Sequence, residues 1–185
     1  MEKFKLDNIL KIKKIGSELE LEQASVLYNK LRLMQKHDAS LGPLCRHLAQ
    51  LIEQYESAHW AHESQVSEKQ LRESEDAEKS VQYREQFIQK RKALIREALK
   101  AKGLIQNDLA DILGHRKNYM SELINGLRPF SQEDMLIIHL VLGIKWDDLI
   151  VPIVKEPVAQ RVLSVIQKLN KPNLKLKGPN LQFAS

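Results

Sequence analysis

The stretch from Gly103 to Arg128, GLIQNDLADILGHRKNYMSELINGLR, constrains this chain more than any other. Its apolar residues recur at helical spacing in two short runs, and a glycine stands where each run must stop. Gln106 opens the first run, whose Leu109, Ala110 and Leu113 share one face. Gly114 then permits the left-handed backbone that a tight turn between helices requires. From Lys117 to Ile124 the second run sets Met120, Leu123 and Ile124 on one side and Lys117, Asn118, Ser121 and Glu122 on the other. Two short helices joined this way, the second with a polar outer face, suit the reading of base edges in a major groove.

The rest of the chain agrees with a helical protein. Glycine (7) and proline (6) are sparse in 185 residues and 43% are hydrophobic, so the composition predicts an all-α fold with enough apolar mass for two small domains. No run of about 18 uncharged apolar residues occurs. The first residues scatter lysines instead of placing a basic start before an apolar centre. The expectation is therefore a cytoplasmic protein with no membrane association. Cys45, the single cysteine, excludes an internal disulfide and agrees with a reducing compartment. No nucleophile elbow, phosphate loop or paired carboxylates appear, so neither catalysis nor a cofactor is expected. His59 and His62, with Cys45 and His47 nearby, read as helix histidines and not as metal ligands, because the His-x-x-His spacing is weak.

Charge is distributed unevenly. Residues 1–14 carry five Lys against two acids, residues 15–89 eight basic against thirteen acidic, and residues 90–128 nine basic against four acidic. Lys and Arg that neutralise phosphates account for the basic part. The acidic part calls for a different partner.

These patterns divide the chain into five pieces. Residues 1–17 are a basic arm that reads equally as a frayed helix, an extended segment or a disordered one. Residues 18–62 are a helical partner-binding domain. Within it Ala24, Leu27, Leu31 and Met34 make one stripe and Leu44, Leu48, Leu51, Ile52 and Tyr55 another, separated by turn residues Ser40, Gly42 and Pro43. Residues 63–89 are a charged linker or exposed helix. The Ser67 and Gln70 pair favours the helix through a capping box. Residues 90–150 hold the two short helices, preceded by an amphipathic helix at Lys90–Lys102 and followed by one capped at Ser131 with Asp134 in its first turn. Residues 151–185 are a further amphipathic helix, Pro157–Leu169, and a basic tail with Lys171, Lys175 and Lys177. The run Met135–Leu142 is apolar nearly all round, so a second surface must cover Ile137, Leu140 and Val141. Either a second copy or the helix at Pro157–Leu169 would do so, and a homodimer is favoured.

Residues 91–150 resemble the XRE, or lambda-repressor-like, helix-turn-helix family. The residues that carry this are Leu104-Ile105-Gln106, Leu109-Ala110, Leu113-Gly114, Ser121, Asn125-Gly126, Arg128, Ser131, Gly143-Ile144 and Asp147-Asp148-Leu149. The resemblance implies a five-helix DNA-binding domain preceded here by a small helical domain. It implies that Lys117, Asn118, Ser121 and Glu122 face bases, and that Gln106, Arg116, Tyr119, Asn125 and Arg128 meet phosphate or sugar. Lys suits guanine, Asn adenine, and Glu accepts from cytosine. A dimer then matches a palindromic operator in double-stranded DNA. Two positions depart from the family pattern: Ile105 replaces a Thr or Ser cap, and Arg116 stands where a small cap is usual.

Leu99 and Ile124, apolar where phage repressors often pair Arg with Glu, make the domain similar to that of HigA-type antitoxins. Residues 20–62 look like the helical domain that precedes it there, at Leu31, Leu48, Ile52 and Glu56. That resemblance implies an antitoxin that binds a basic mRNA-cleaving ribonuclease toxin and represses its own operon. The alternatives are a stand-alone XRE-family regulator with an N-terminal sensing domain, and a protein-interaction module that no longer binds DNA.

Overall fold

A computed structural model describes residues 3–36, 38–59, 67–154, 156–171 and 173–174. The described residues contain no strand, as an all-α composition requires. A 3-10 helix at Leu6–Lys11 leads into α1 (Glu18–Met34) and α2 (Gly42–His59), with a short 3-10 turn, Ala39–Leu41, between them. Ser17 caps α1 by accepting from the Glu20 backbone N–H, and Asp38 caps the 3-10 turn in the same way. The two helices run antiparallel: Tyr55, near the end of α2, donates its hydroxyl to Glu18 at the start of α1 over 3.0 Å. Burial and that carboxylate push the Tyr55 hydroxyl up to about 12.

Residues 3–17 are not a free arm. Phe4, Leu6, Ile9, Ile12 and Ile15 are buried in the core that α1 and α2 build with Leu27, Leu31 and Leu48. The reason is periodicity, since a 3-10 helix has about three residues per turn and so aligns Leu6, Ile9 and Ile12 on one edge. The local alternation at Leu10–Lys13 hides this spacing, and Leu10 itself is exposed.

The charged stretch and the amphipathic helix after it form one element. Helix α3 runs unbroken from Glu68 to Ala101, 34 residues and about 50 Å long. Ser67 and Gln70 form the expected capping box at its start. Ala77, Val81, Ile88, Arg91, Ile95 and Leu99 are buried along one stripe, so the first half packs on α1 and is not fully solvated. Lys30 of α1 meets Glu85 of α3 at 2.7 Å. The second half begins the next bundle.

That bundle comprises the end of α3, α4 (Gln106–Ile112), α5 (Lys117–Ile124), α6 (Gln132–Leu142) and α7 (Trp146–Leu149). Its core contains Ile95, Leu99, Leu109, Met120, Leu123, Ile124, Phe130, Ile138 and Leu149. The stops fall where the glycines stand, with Gly103, Gly114, Gly126 and Gly143 all at positive φ. Helix α8 (Glu156–Leu169) follows. Of its apolar residues only Ala159 is buried, while Val158, Val165 and Leu169 are exposed. It does not cover α6: Leu140 is 69% exposed, Leu136 and Val141 are also exposed, and Ile137 is half-buried. His62, Lys175 and Lys177 lie outside the described residues.

Candidate nucleic-acid interface

The polar side of α5 divides into two parts. In its first turn Lys117, Asn118 and Tyr119 are exposed, with Arg116 exposed just before it. Arg116 precedes the helix without a side-chain cap. Half-buried Gln106 opens α4 on the same motif. Among the described residues the side chains of Gln106, Arg116, Lys117 and Asn118 have no hydrogen-bond or ion-pair partner, which leaves their donors and acceptors open to a ligand. The missing side-chain cap at Ile105 is offset from inside the helix, since Asp108 Oδ2 accepts from the Ile105 N–H at 2.7 Å.

One turn further on, the same face is engaged with the protein itself. Ser121 is half-buried and accepts from Asn125 Nδ2 at 3.3 Å, and that amide also donates to the Ser121 carbonyl at 2.8 Å. Lys92 of α3 donates to Asn125 Oδ1 at 2.7 Å, holding the amide in place. Glu122 accepts from Arg128 Nε at 2.5 Å. The other two guanidinium nitrogens grip both oxygens of Asp7, at 2.7 and 2.8 Å. These bonds to Asp7 and then Glu122 raise the Arg128 pKa further, and the same bond draws Asp7 below the usual carboxylate range. The Arg128 guanidinium also lies 5.4 Å from the Tyr119 ring. So Lys117 and Asn118 are presented together, whereas Ser121 is bonded to Asn125, and Glu122 to Arg128, within the protein.

The turn between α4 and α5 is held by His115, which the sequence reading did not single out. His115 Nε2 lies 2.8 Å from Asp134 Oδ1, and the His115 ring meets Tyr119 edge to face. Asp134 is buried and also serves the Ser131 capping box at the start of α6. The Ser131 and Asp134 spacing was legible; the His115 contact, nineteen residues away, was not. Lys92 lay in a visible basic run. Asp7 is 121 residues from Arg128 and left no local signal.

Residues 95–149 match the family model described as helix-turn-helix. These residues thus form a helix-turn-helix domain, in which α4 and α5 are the motif. No curated protein and no solved structure matches the chain. Among the described residues, no helix is long and apolar enough to cross a membrane.

A second charged surface lies on the opposite half. Glu22 of α1 has Glu78 of α3, Glu18 and Glu56 of α2 close enough to act on it. Partial burial first, and then these neighbours, raise its carboxyl above the usual range. The fold therefore holds the Glu22 proton more tightly than the unfolded chain does. Stability from this group is complete below about pH 4.5 and is lost as pH rises through the higher folded value. Glu22→Gln is expected to flatten that decline and to gain up to about 1 kcal/mol at neutral pH, a limit set by solvent screening. Urea unfolding across the acid-to-neutral range measures it, and an unchanged pH profile contradicts the assignment.

Proposed function

We propose that this chain is a sequence-specific DNA-binding regulator that lays the first turn of α5 into a major groove. The observation that carries the reading is the exposed, unpartnered pair Lys117 and Asn118, within a helix-turn-helix domain and flanked by the open side chains of Arg116 and Gln106. Lys and Asn are side chains that discriminate guanine and adenine by their edge donors and acceptors. The Lys117→Ala variant is expected to lose about 1–3 kcal/mol of discrimination between its preferred site and a mismatched one. Gln106→Ala is expected to weaken binding to all sequences alike. A gel-shift series on the chain's own promoter fragment checks both. The reverse pattern overturns the assignment of roles, and no shift even at low salt overturns the DNA-binding reading in favour of an interaction module.

The finer reading is a HigA-like antitoxin. The acidic group of Glu22, Glu56 and Glu78, with buried Glu18 beneath it, spans three helices and favours a cationic partner, as a ribonuclease that holds RNA must be. A basic partner seated there relieves the mutual repulsion of these carboxylates. Homodimerisation through α6 is the matching proposal for a palindromic operator. Leu136, Leu140 and Val141 are exposed apolar residues on one helix that α8 leaves uncovered. Co-purification with the product of an adjacent short basic reading frame, toxic alone and rescued by this chain, is the expected result. No such neighbour leaves the stand-alone regulator.

A further inference from the structure

The 3-10 helix Leu6–Lys11 and its flanking residues have two edges of opposite character. Three residues per turn bury Leu6, Ile9 and Ile12 in the first core and leave Lys5, Asn8 and Lys11 aligned and exposed on the other edge. The neighbouring lysines are not equivalent. Lys3 is held by Glu20 at 2.5 Å and by the Lys14 carbonyl at 2.9 Å. Lys5 has no hydrogen-bond or ion-pair partner among the described residues, and Lys11 has a 3.4 Å contact to Asn8 and a weaker attraction to Asp7. This is an exposed cationic edge on a half of the chain that is otherwise acidic.

Its position is fixed by a chain of contacts. Asp7, between the two lysines, holds Arg128, and Arg128 lies against Tyr119 next to Asn118 in the exposed turn of α5. The lysine edge is thereby tethered to the side of the bundle that carries the helix-turn-helix polar face. Three of the five Arg128 N–H donors are taken by Asp7 and Glu122, two carboxylates that more than offset its charge.

We infer that the exposed edge of the N-terminal 3-10 helix is a second contact surface for duplex DNA, with Lys5 and Lys11 engaging backbone phosphates beside the groove that α5 enters. The span fits. Six residues of 3-10 helix separate the two lysines by about 12 Å, comparable with three to four phosphates of one strand at about 3.4 Å each along the axis. The inference rests on the DNA-binding reading above and assigns it a non-sequence-specific component from outside the helix-turn-helix domain.

The test is equilibrium binding of the full chain to a labelled mixed-sequence duplex of about 30 base pairs, roughly three helical turns, over a salt series. In Lys5→Ala/Lys11→Ala the slope of log affinity against log salt is expected to flatten by about 1.8, at about 0.9 per phosphate contact, with affinity down about tenfold at low salt. Lys5→Arg/Lys11→Arg is expected to keep the wild-type slope. Lys79→Ala, which removes an exposed lysine from the acidic half of α3, is expected to change neither quantity. Circular dichroism confirms that each variant is folded. Wild-type slope and affinity in the double alanine variant overturn the inference alone. A wild-type chain that does not bind this duplex at low salt overturns the DNA-binding reading and the inference with it.

Discussion

Gly126→Ala is expected to lower the unfolding free energy by about 3 kcal/mol, measured by urea denaturation. Two costs combine. Gly126 has φ +71°, a left-handed conformation that costs a residue with a Cβ about 1–2 kcal/mol. A Cβ there also falls 2.8 Å from Ile88 Cγ2 and 2.9 Å from Cδ1, and crowding a packed core costs a further 1–3 kcal/mol, roughly. The clash is with a fully buried branched side chain, which has little room to move. Gly114→Ala is the internal control, since Gly114 shares the backbone conformation (φ +69°) but has open space around it. It is expected to cost only the backbone part. In an Ile88→Ala background the Gly126 substitution is likewise expected to fall to about 1–2 kcal/mol. Equal costs at Gly114 and Gly126 contradict the contact between α3 and the exit of α5.

The second large effect is expected at Arg91. Its side chain is 5% exposed, donates from Nη1 to the Leu149 carbonyl at 3.0 Å, and places its guanidinium 5.0 Å from the Phe130 ring and 6.0 Å from Phe87. Burial, and then repulsion from Arg84, lower its pKa to about 10, so it remains a cation at neutral pH. Arg91→Ala leaves the α7 carbonyl without its donor, which costs about 1–3 kcal/mol, and removes the stem that fills the space between two aromatic rings. A total loss of about 3 kcal/mol is expected in urea unfolding. Arg91→Met restores the packing and relieves the repulsion from Arg84, so about half of the loss is expected to return. An alanine variant within about 0.5 kcal/mol of wild type, the range of an ordinary surface substitution, contradicts the role given to Arg91.

The same arginine explains what the amino-acid sequence concealed. The buried stripe of α3 passes through Ala77, Val81, Ile88, Arg91, Ile95 and Leu99, with Arg84 half-buried between its turns. Two of the positions that a periodicity reading searches for apolar residues are thus cationic. The pattern breaks there, and one continuous helix reads as a charged linker or exposed helix followed by a separate amphipathic one. The helix-turn-helix was legible because its signals are local: glycines at 114, 126 and 143 fix where chain reversals fall, and Leu109, Met120 and Leu123 show helical spacing within a few residues of them. Lys117 and Asn118 were placed on the open face by the same spacing. Glu122 and Arg128 share that face, but their bonding depends on Asp7, which only the folded chain brings near. The N-terminal core was missed for a third reason. Leu6, Ile9, Ile12 and Ile15 repeat every third residue, a period that belongs to neither the α-helix nor the strand.

Leu127, just past the end of α5, inserts into the core formed by the N-terminal 3-10 helix, α1 and α2, while Ile88 abuts Gly126 from α3. The boundary that motif spacing draws around residue 90 therefore does not mark a place where the molecule comes apart. Severed there, the carboxyl-terminal fragment would present a naked leucine to water and lose the wedge under its own reading element. Neither half keeps its packing intact without the side chains that the other contributes at this seam.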